Sequence, residues 1–354
     1  VRVAAGVVGA AVACAIAGCS TPDKLETVRR PGSAVVDAGG DGAAARTDAG
    51  ALPWELVGVL EVGAYNGLVA STAVVGDAFY GVEIGGGWEF ARYEAATGAR
   101  TVLAVKGAAD GLHGDGAACA VGSRVYFLGG GGNGVFSMWL DQHWEVVDLA
   151  AQTWLPGGFH AAAYHAPGVA AGEGRCVMLG GNAGGGLTPT VGVQELAIAT
   201  GTWENLPPVP RAVVRPGGVI VGGVVVAAGG ARDLEPGDST STYNGVAIAD
   251  VAVLTAGAAA WSPGPSLPRP LYAPELVAAR GRVFLFGGVD NGDPVPRPEV
   301  LSWAVGDDAW RVEGAIPPDA AVGAHGFAIG DDLYVVVFAN GEQTYENRLY
   351  RWRG

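Results

Sequence analysis

The chain has 354 residues, among them 60 glycines and 21 prolines, and its 21 basic and 35 acidic side chains give a net charge of −14. Hydrophobic residues make up 49% of it and mean hydropathy is positive at +0.29, which excludes disorder throughout. The lack of a Gly-X-Y period excludes a collagen-like rod, and the acidic field opposes nucleic-acid binding. One residue in six is glycine, against roughly one in fourteen in an average protein, and that excess needs a structural cause.

In chain order, residues 1–18 hold one early cation, Arg2, and then an apolar run of Val, Ala, Gly and Ile. The run is too short to span a bilayer comfortably and has the form of a secretory signal peptide. Its end, Ile16-Ala17-Gly18-Cys19, resembles the bacterial lipobox. The resemblance implies cleavage before Cys19 and lipidation of its thiol, and hence an exported protein held to the cell envelope by acyl chains. Two or three such chains anchor firmly, at about 0.8 kcal/mol per buried CH₂. Ser20 follows in place of the aspartate that resembles an inner-membrane retention signal, so an outer membrane is expected where the cell has two. Residues 19–50 show neither a helical nor a strand period and are expected to form a flexible tether, with a reach of roughly 30 Å.

From residue 51 onward an internal repeat sets the expected fold. Six apolar runs each follow a glycine-rich turn: FYGVEIGG (79–86), VYFLGG (125–130), CVMLGG (176–181), VVVAAGG (224–230), VFLFGG (283–288) and LYVVVF (333–338). Their final residues are 44, 51, 49, 58 and 50 residues apart, the period of a four-stranded propeller blade. Before each run lies a short turn suited to a β-hairpin: Gly76-Asp77, Gly122-Ser123, Gly222-Gly223, Arg280-Gly281 and Gly330-Asp331, with Gly172-Glu173-Gly174 one residue longer. Trp154, Trp203, Trp261 and Trp310 follow the doublets by 24, 22, 31 and 22 residues, and three of them lead into proline-containing connections.

Five doublets and four phased tryptophans together resemble the kelch repeat. The resemblance covers residues 52–354 and implies an all-β, six-bladed kelch-type β-propeller. Departures are Arg100 in the tryptophan position of the first repeat and a fourth repeat lacking the usual Tyr-Asp of the third strand. After the sixth run only one more strand follows, residues 346–354. Leu52-Pro53-Trp54 stands in fourth-strand phase ahead of the first repeat, so the N-terminal strand is expected to complete the last blade.

Of the four cysteines, Cys14 leaves with the signal and Cys19 takes lipid. Cys119 is expected on the first strand of blade two and Cys176 on the second strand of blade three. Nothing in the spacing brings these sulfurs within bridging reach, so two buried free thiols are expected, with a disulfide as the alternative.

Functional residues are expected on the face that carries the blade-to-blade connections and the second-to-third-strand loops. The loop 131–143 offers Phe136, Met138, Trp139, Asp141 and His143; a second offers Asp233, Glu235 and Asp238; a third offers Asp290, Asn291 and Asp293. Aromatic groups beside acidic loops suit a protein or glycan ligand. His113, His165, Arg215, Tyr272 and His325 precede the ends of their runs by 17, 16, 15, 16 and 13 residues. They are expected to ring one mouth of the central channel, where they could hold an anion or serve only as donors to neighbouring blades. Phosphate loops, HExxH and GxSxG are not found, and no metal or cofactor is expected. Binding is therefore the expected work, by an exported lipoprotein whose membrane contact is the lipid alone. The alternative is a cell-envelope carbohydrate-active enzyme or mutarotase with its site at the channel mouth.

Overall fold

The computed structural model describes residues 54–60, 68–85, 87–103, 117–128, 143–159, 166–183, 188–235, 238, 245–291, 297–317, 323–340 and 345–353. Among them there is no helix; there are six four-stranded antiparallel sheets and one two-stranded ribbon. The first strand, β1 (Trp54–Leu60), belongs to the last sheet, described below. Blade 1 is β2 (Leu68–Val75), β3 (Ala78–Gly85), β4 (Gly87–Glu94) and β5 (Arg100–Val102); blade 2 is β6 (Ala117–Val121), β7 (Arg124–Leu128), β8 (His143–Asp148) and β9 (Thr153–Phe159). Blade 3 is β10 (Gly168–Gly172), β11 (Arg175–Leu179), β12 (Val193–Ala197) and β13 (Thr202–Asn205). Blade 4 is β14 (Gly217–Val221), β15 (Val224–Ala228), β18 (Val251–Leu254) and β19 (Ser262–Pro263), interrupted by the ribbon β16 (Ala231–Arg232) and β17 (Val246–Ala247). That insertion accounts for the longest repeat step and for the 31-residue distance to Trp261. Blade 5 is β20 (Glu275–Ala279), β21 (Arg282–Phe286), β22 (Glu299–Trp303) and β23 (Arg311–Ala315). Blade 6 is β24 (Gly323–Ile329), β25 (Asp332–Asn340), β26 (Tyr345–Trp352) and, outermost, β1.

The first strand of every blade lies against the first strands of two neighbours, and β2 meets β24 as well as β6, so the six form a ring. This is a six-bladed β-propeller. Each pair of adjacent blades encloses its own apolar cluster, from Phe90 with Phe127 between blades 1 and 2 to Phe79 and Tyr93 with Phe327, Tyr334 and Leu349 between blades 1 and 6. In the latter, Phe79 lies 4.8 Å from Tyr93 and 4.6 Å from Phe327, contacts worth about 0.5–1.5 kcal/mol each beyond the area they bury.

The phased tryptophans tie one blade to the next. Trp261 Nε1 donates to the Pro207 carbonyl at 2.7 Å, and Trp310 Nε1 donates to the Pro265 carbonyl at 2.9 Å. In each case the tryptophan immediately before the fourth strand reaches the chain just after the fourth strand of the preceding blade. Trp54 Nε1 makes the same bond to Ala315 at the end of β23, at 2.9 Å, while β1 pairs with β26 from Trp54↔Trp352 to Leu60↔Asn347. Position and hydrogen bond agree with the expectation that the N-terminal strand fills the vacant place in blade 6.

The glycine doublets lie where the next connection crosses. Gly180 and Gly229 have positive φ (+55° and +64°), and a β-carbon on either would overlap the carbonyl of Val213 or of Leu271, each on the segment entering the following blade. Their neighbours Gly181 and Gly230 donate their N–H groups to those same carbonyls, both at 2.8 Å. The turn at residue 172 differs from the sequence reading: Gly172 pairs with Arg175 inside the strands, so the loop is the two-residue Glu173-Gly174. Both residues have positive φ (52° and 71°), as do Arg280 and Gly281 (54° and 67°), the conformation that a tight hairpin needs.

The expectation of free thiols is overturned. Cys119 and Cys176 lie on the expected strands, β6 and β11, yet form a disulfide with Cα atoms 6.1 Å apart. The two strands belong to adjacent blades, whose inner strands pack together, and sequence phase alone did not reveal that proximity. The bond lies within the apolar cluster between blades 2 and 3. It encloses a separation of 57 residues, for which loop-closure entropy gives about 4 kcal/mol. The double substitution Cys119→Ala with Cys176→Ala is therefore expected to lower the stability measured by denaturant unfolding by about that amount; an unchanged midpoint and slope would contradict a native bridge.

Candidate functional site

Because the strands of each blade alternate in direction, all first-to-second and third-to-fourth turns lie on one face of the disc. On that short-turn face many of the described charges are held by ion pairs or by backbone groups. Arg175 forms a two-nitrogen clasp on Glu195 (2.6 and 3.1 Å) and also reaches the Gly223 carbonyl of blade 4, while Glu173 accepts from Gly223 N at 2.8 Å. Arg280 donates to the Asp331 carbonyl of blade 6, Arg351 pairs with Asp332, and Arg282 with Ser302 and Asp307. Asp148 accepts the N–H groups of Ala150 and Ala151 and lies beside Arg124; chiefly the Ala151 N–H holds its carboxyl below the usual carboxylate range.

The opposite end of the channel is built differently. A cavity of about 460 Å³ runs along the first strands of all six blades and includes Arg215, Glu275 and His325 in its wall. Each innermost strand pairs on one side only, so its free edge offers backbone donors and acceptors along the channel. Hairpin register sets the levels. Ala117, Gly168, Gly217, Glu275 and His325 each pair with the fifth residue of the following strand, respectively Leu128, Leu179, Ala228, Phe286 and Val336. Glu275 and His325 therefore occupy one level on adjacent blades. Their side chains meet, with His325 Nδ1 at 3.0 Å from Glu275 Oε1.

Arg215 enters the same wall from blade 4. Its N–H bonds the Ala166 carbonyl of blade 3 at 3.1 Å. Two residues on, Gly217 lies so close to Pro274 that a β-carbon would collide with that carbonyl. The segments carrying Arg215, Glu275 and His325 thus form a continuous arc over blades 4, 5 and 6.

Of the remaining expected site residues, Tyr272 and His143 are among those described. Tyr272 is buried among Ala231 and Ala247, and it bridges to Val289. His143 opens β8. Cys19, His113, Trp139 and His165 lie outside the described residues, as do Phe136, Met138, Asp141 and Asp293. His325 stands deeper than Tyr272: its offset of 13 residues, against 16, reflects a different level in the blade.

Two of the acidic loops are internally engaged. Asp238 accepts both Arg232 nitrogens at 2.8 and 3.0 Å together with Glu235 N. Asn291 pairs through its amide with both backbone groups of Ala247, at 2.8 and 3.1 Å, extending the β16–β17 ribbon to blade 5, and Asp290 lies 3.5 Å from Arg297. Sequence reasoning passed over Glu275; the available signal was Ala-Pro-Glu at 273–275 where blades 3 and 4 have Ala-Pro-Gly and Arg-Pro-Gly. No family model matches this chain, and no curated protein matches it at a similarity that would mark a relative.

The Arg232 clasp, and after it the Glu235 N–H, depress the Asp238 pKa. A carboxylate lowered on folding adds stability above its unfolded pKa, about 3.9, and that stability is lost as pH falls through the folded value. An NMR titration is expected to place the Asp238 midpoint below the ordinary aspartate range and to move it upward in Arg232→Gln. An unmoved midpoint would remove the clasp as the cause.

Proposed function

We propose that this chain is an exported lipoprotein of the kelch type, anchored through Cys19 by residues 19–50, whose propeller binds a protein or glycan ligand on its loop-bearing face. The observation that carries the binding reading is the gathering of Arg215, Glu275 and His325 from three consecutive blades into one arc of the channel wall. The short-turn face supports it from the other side, since its described charges are largely spent on ties within and between blades. The Cys119–Cys176 bond supports export, because such bonds persist in oxidising compartments. Doublets that receive the crossing segment, and tryptophans that bond the preceding blade, support the kelch kind of repeat. The lipobox is the ground for the lipid and for an outer membrane where the cell has two.

The second reading, a cell-envelope carbohydrate-active enzyme or mutarotase, draws on one contact. His325 and Glu275 at 3.0 Å are an imidazole and a carboxylate in hydrogen-bond reach inside a cavity, the pairing that general acid–base work uses. Fold alone does not choose between them.

A glycan array together with a pull-down from detergent-solubilised envelope separates the two. Saturable binding without turnover, weakened in the double variant Trp139→Ala with His143→Ala, is the expected result. Turnover of any sugar would replace the binding reading with the enzymatic one. Cys19→Ser is expected to abolish acyl labelling and release the protein from membranes; retained labelling would overturn the anchor.

A further inference from the structure

The outer edge of blade 6 differs from those of its neighbours. β1 pairs with β26 on one side only, so its other edge faces outward. Prolines stand in the outer strands of blades 2 and 4, Pro156 and Pro263, and charges in those of blades 3 and 5, Glu204 and Arg311, the usual guards of an open edge. β1 has one charge, Glu55, followed by Leu56 to Leu60 with neither charge nor proline. Among the described residues, Leu56 and Val59 are the only two exposed large apolar side chains that share a strand, at 53% and 52%. Register puts them on one side. Leu56 lies opposite Tyr350 and Val59 opposite Arg348, two residues apart on β26, because the register shifts between Leu56 and Gly58 and so reverses the phase that would otherwise turn Val59 to the other face. Further along the same side, Trp54 and Trp352 pack on Phe286 and Phe284 of blade 5, and Leu56 and Val59 stand beyond that cover.

We propose that this rim, with Leu56 and Val59 at its centre, rests on the headgroup layer of the membrane that holds the acyl anchor. The inference rests on the anchor reading and adds a second membrane contact to the lipid itself. Two observations choose a lipid surface as the occupant. The tether of residues 19–50 enters the propeller at this strand, since β1 begins at Trp54, so the anchor holds this rim nearest the bilayer. Charge on the rim is also balanced: Arg348 pairs with Glu346 at 2.8 Å, Arg351 with Asp332, and Arg353 with Glu55 at 3.6 Å, in a chain whose net charge is −14. A neutral rim can approach anionic headgroups that repel an acidic surface. Arg353 and Glu55 are both more than half exposed, so their pairing contributes little and Arg353 can exchange the carboxylate for a lipid phosphate. Two half-exposed aliphatic side chains would not hold a free protein on a membrane. A tether with a reach of roughly 30 Å makes the encounter intramolecular, and a weak contact is then populated. A disc standing on its rim keeps both faces clear, which leaves the loop-bearing face open to a ligand.

The test is fluorescence quenching on the full acylated chain in vesicles of phosphatidylethanolamine and phosphatidylglycerol. A fluorophore is attached at Val59→Cys or, as a control of similar exposure on the short-turn face of blade 3, at Ile198→Cys; Cys119 and Cys176 are bridged, so the introduced thiol takes the label. The label at position 59 is expected to be quenched by nitroxide lipid and shielded from iodide, and the label at position 198 to show the reverse. Adding Leu56→Asp is expected to lower the ratio of docked to undocked molecules about tenfold with the melting temperature unchanged. Should Val59→Cys fail to fold, Glu55→Cys carries the label in its place. Equal iodide quenching at the two positions, in protein that is acylated and vesicle-bound, would overturn the rim contact and leave the anchor standing. Shielding from both quenchers, with a doubled mass on cross-linking, would give the rim to a second copy of the chain and overturn it too. A chain found to carry no acyl group would refute the anchor reading and the rim contact with it.

Discussion

Every blade has two apolar faces and must bury both. A four-stranded sheet cannot do so alone, and a linear stack would leave two faces wet at its ends, so the stable arrangement is a ring. The clusters fit that requirement, with apolar residues of both partners meeting at each blade boundary, including the one between the first and last blades. That last boundary draws on Leu60 from the start of the described chain and Leu349 from its end, the two most distant parts in sequence.

The fastenings between blades differ in kind and serve the same constraint. Trp54, Trp261 and Trp310 each satisfy an indole N–H with a carbonyl of the preceding blade, a bond worth about 1 kcal/mol net that also sets the angle between sheets. Gly180 and Gly229 let the crossing segment approach where any side chain would block it. The disulfide adds a covalent tie between blades 2 and 3. A scaffold held at so many boundaries can vary its channel residues freely. At the level where blades 5 and 6 carry Glu275 and His325, the other four carry the small residues Ser71, Ala117, Gly168 and Gly217.

Much of the fold was legible because it rests on local chemistry repeated six times. Gly-Asp and Gly-Ser turns announce hairpins, the doublets announce crossings, and the phase of Trp54 announced a fourth strand ahead of the first repeat. Relations between blades were not legible in the same way. Cys119 and Cys176 were correctly assigned to strands, but their proximity depends on how two sheets face each other, which no spacing encodes. His325 and Tyr272 were placed in one ring by their positions ahead of the repeat runs, yet hairpin register separates them, and it sets His325 level with Glu275, whose only signal was a glutamate after Ala-Pro where two other blades have glycine. The acidic loops looked like a ligand surface until Asp238 and Asn291 were seen to be occupied by Arg232 and Ala247.

The account depends on β1 being an integral strand of blade 6, because without it Trp54 leaves the boundary with blade 5 and Leu60 leaves the boundary with blade 1. Native-state hydrogen exchange resolved to peptides tests this most directly. The β1 amides that pair with β26 are predicted to open in the same cooperative unit as those of β25, with protection that reports global unfolding. Unprotected exchange throughout residues 54–60 while β25 and β26 stay protected would contradict it.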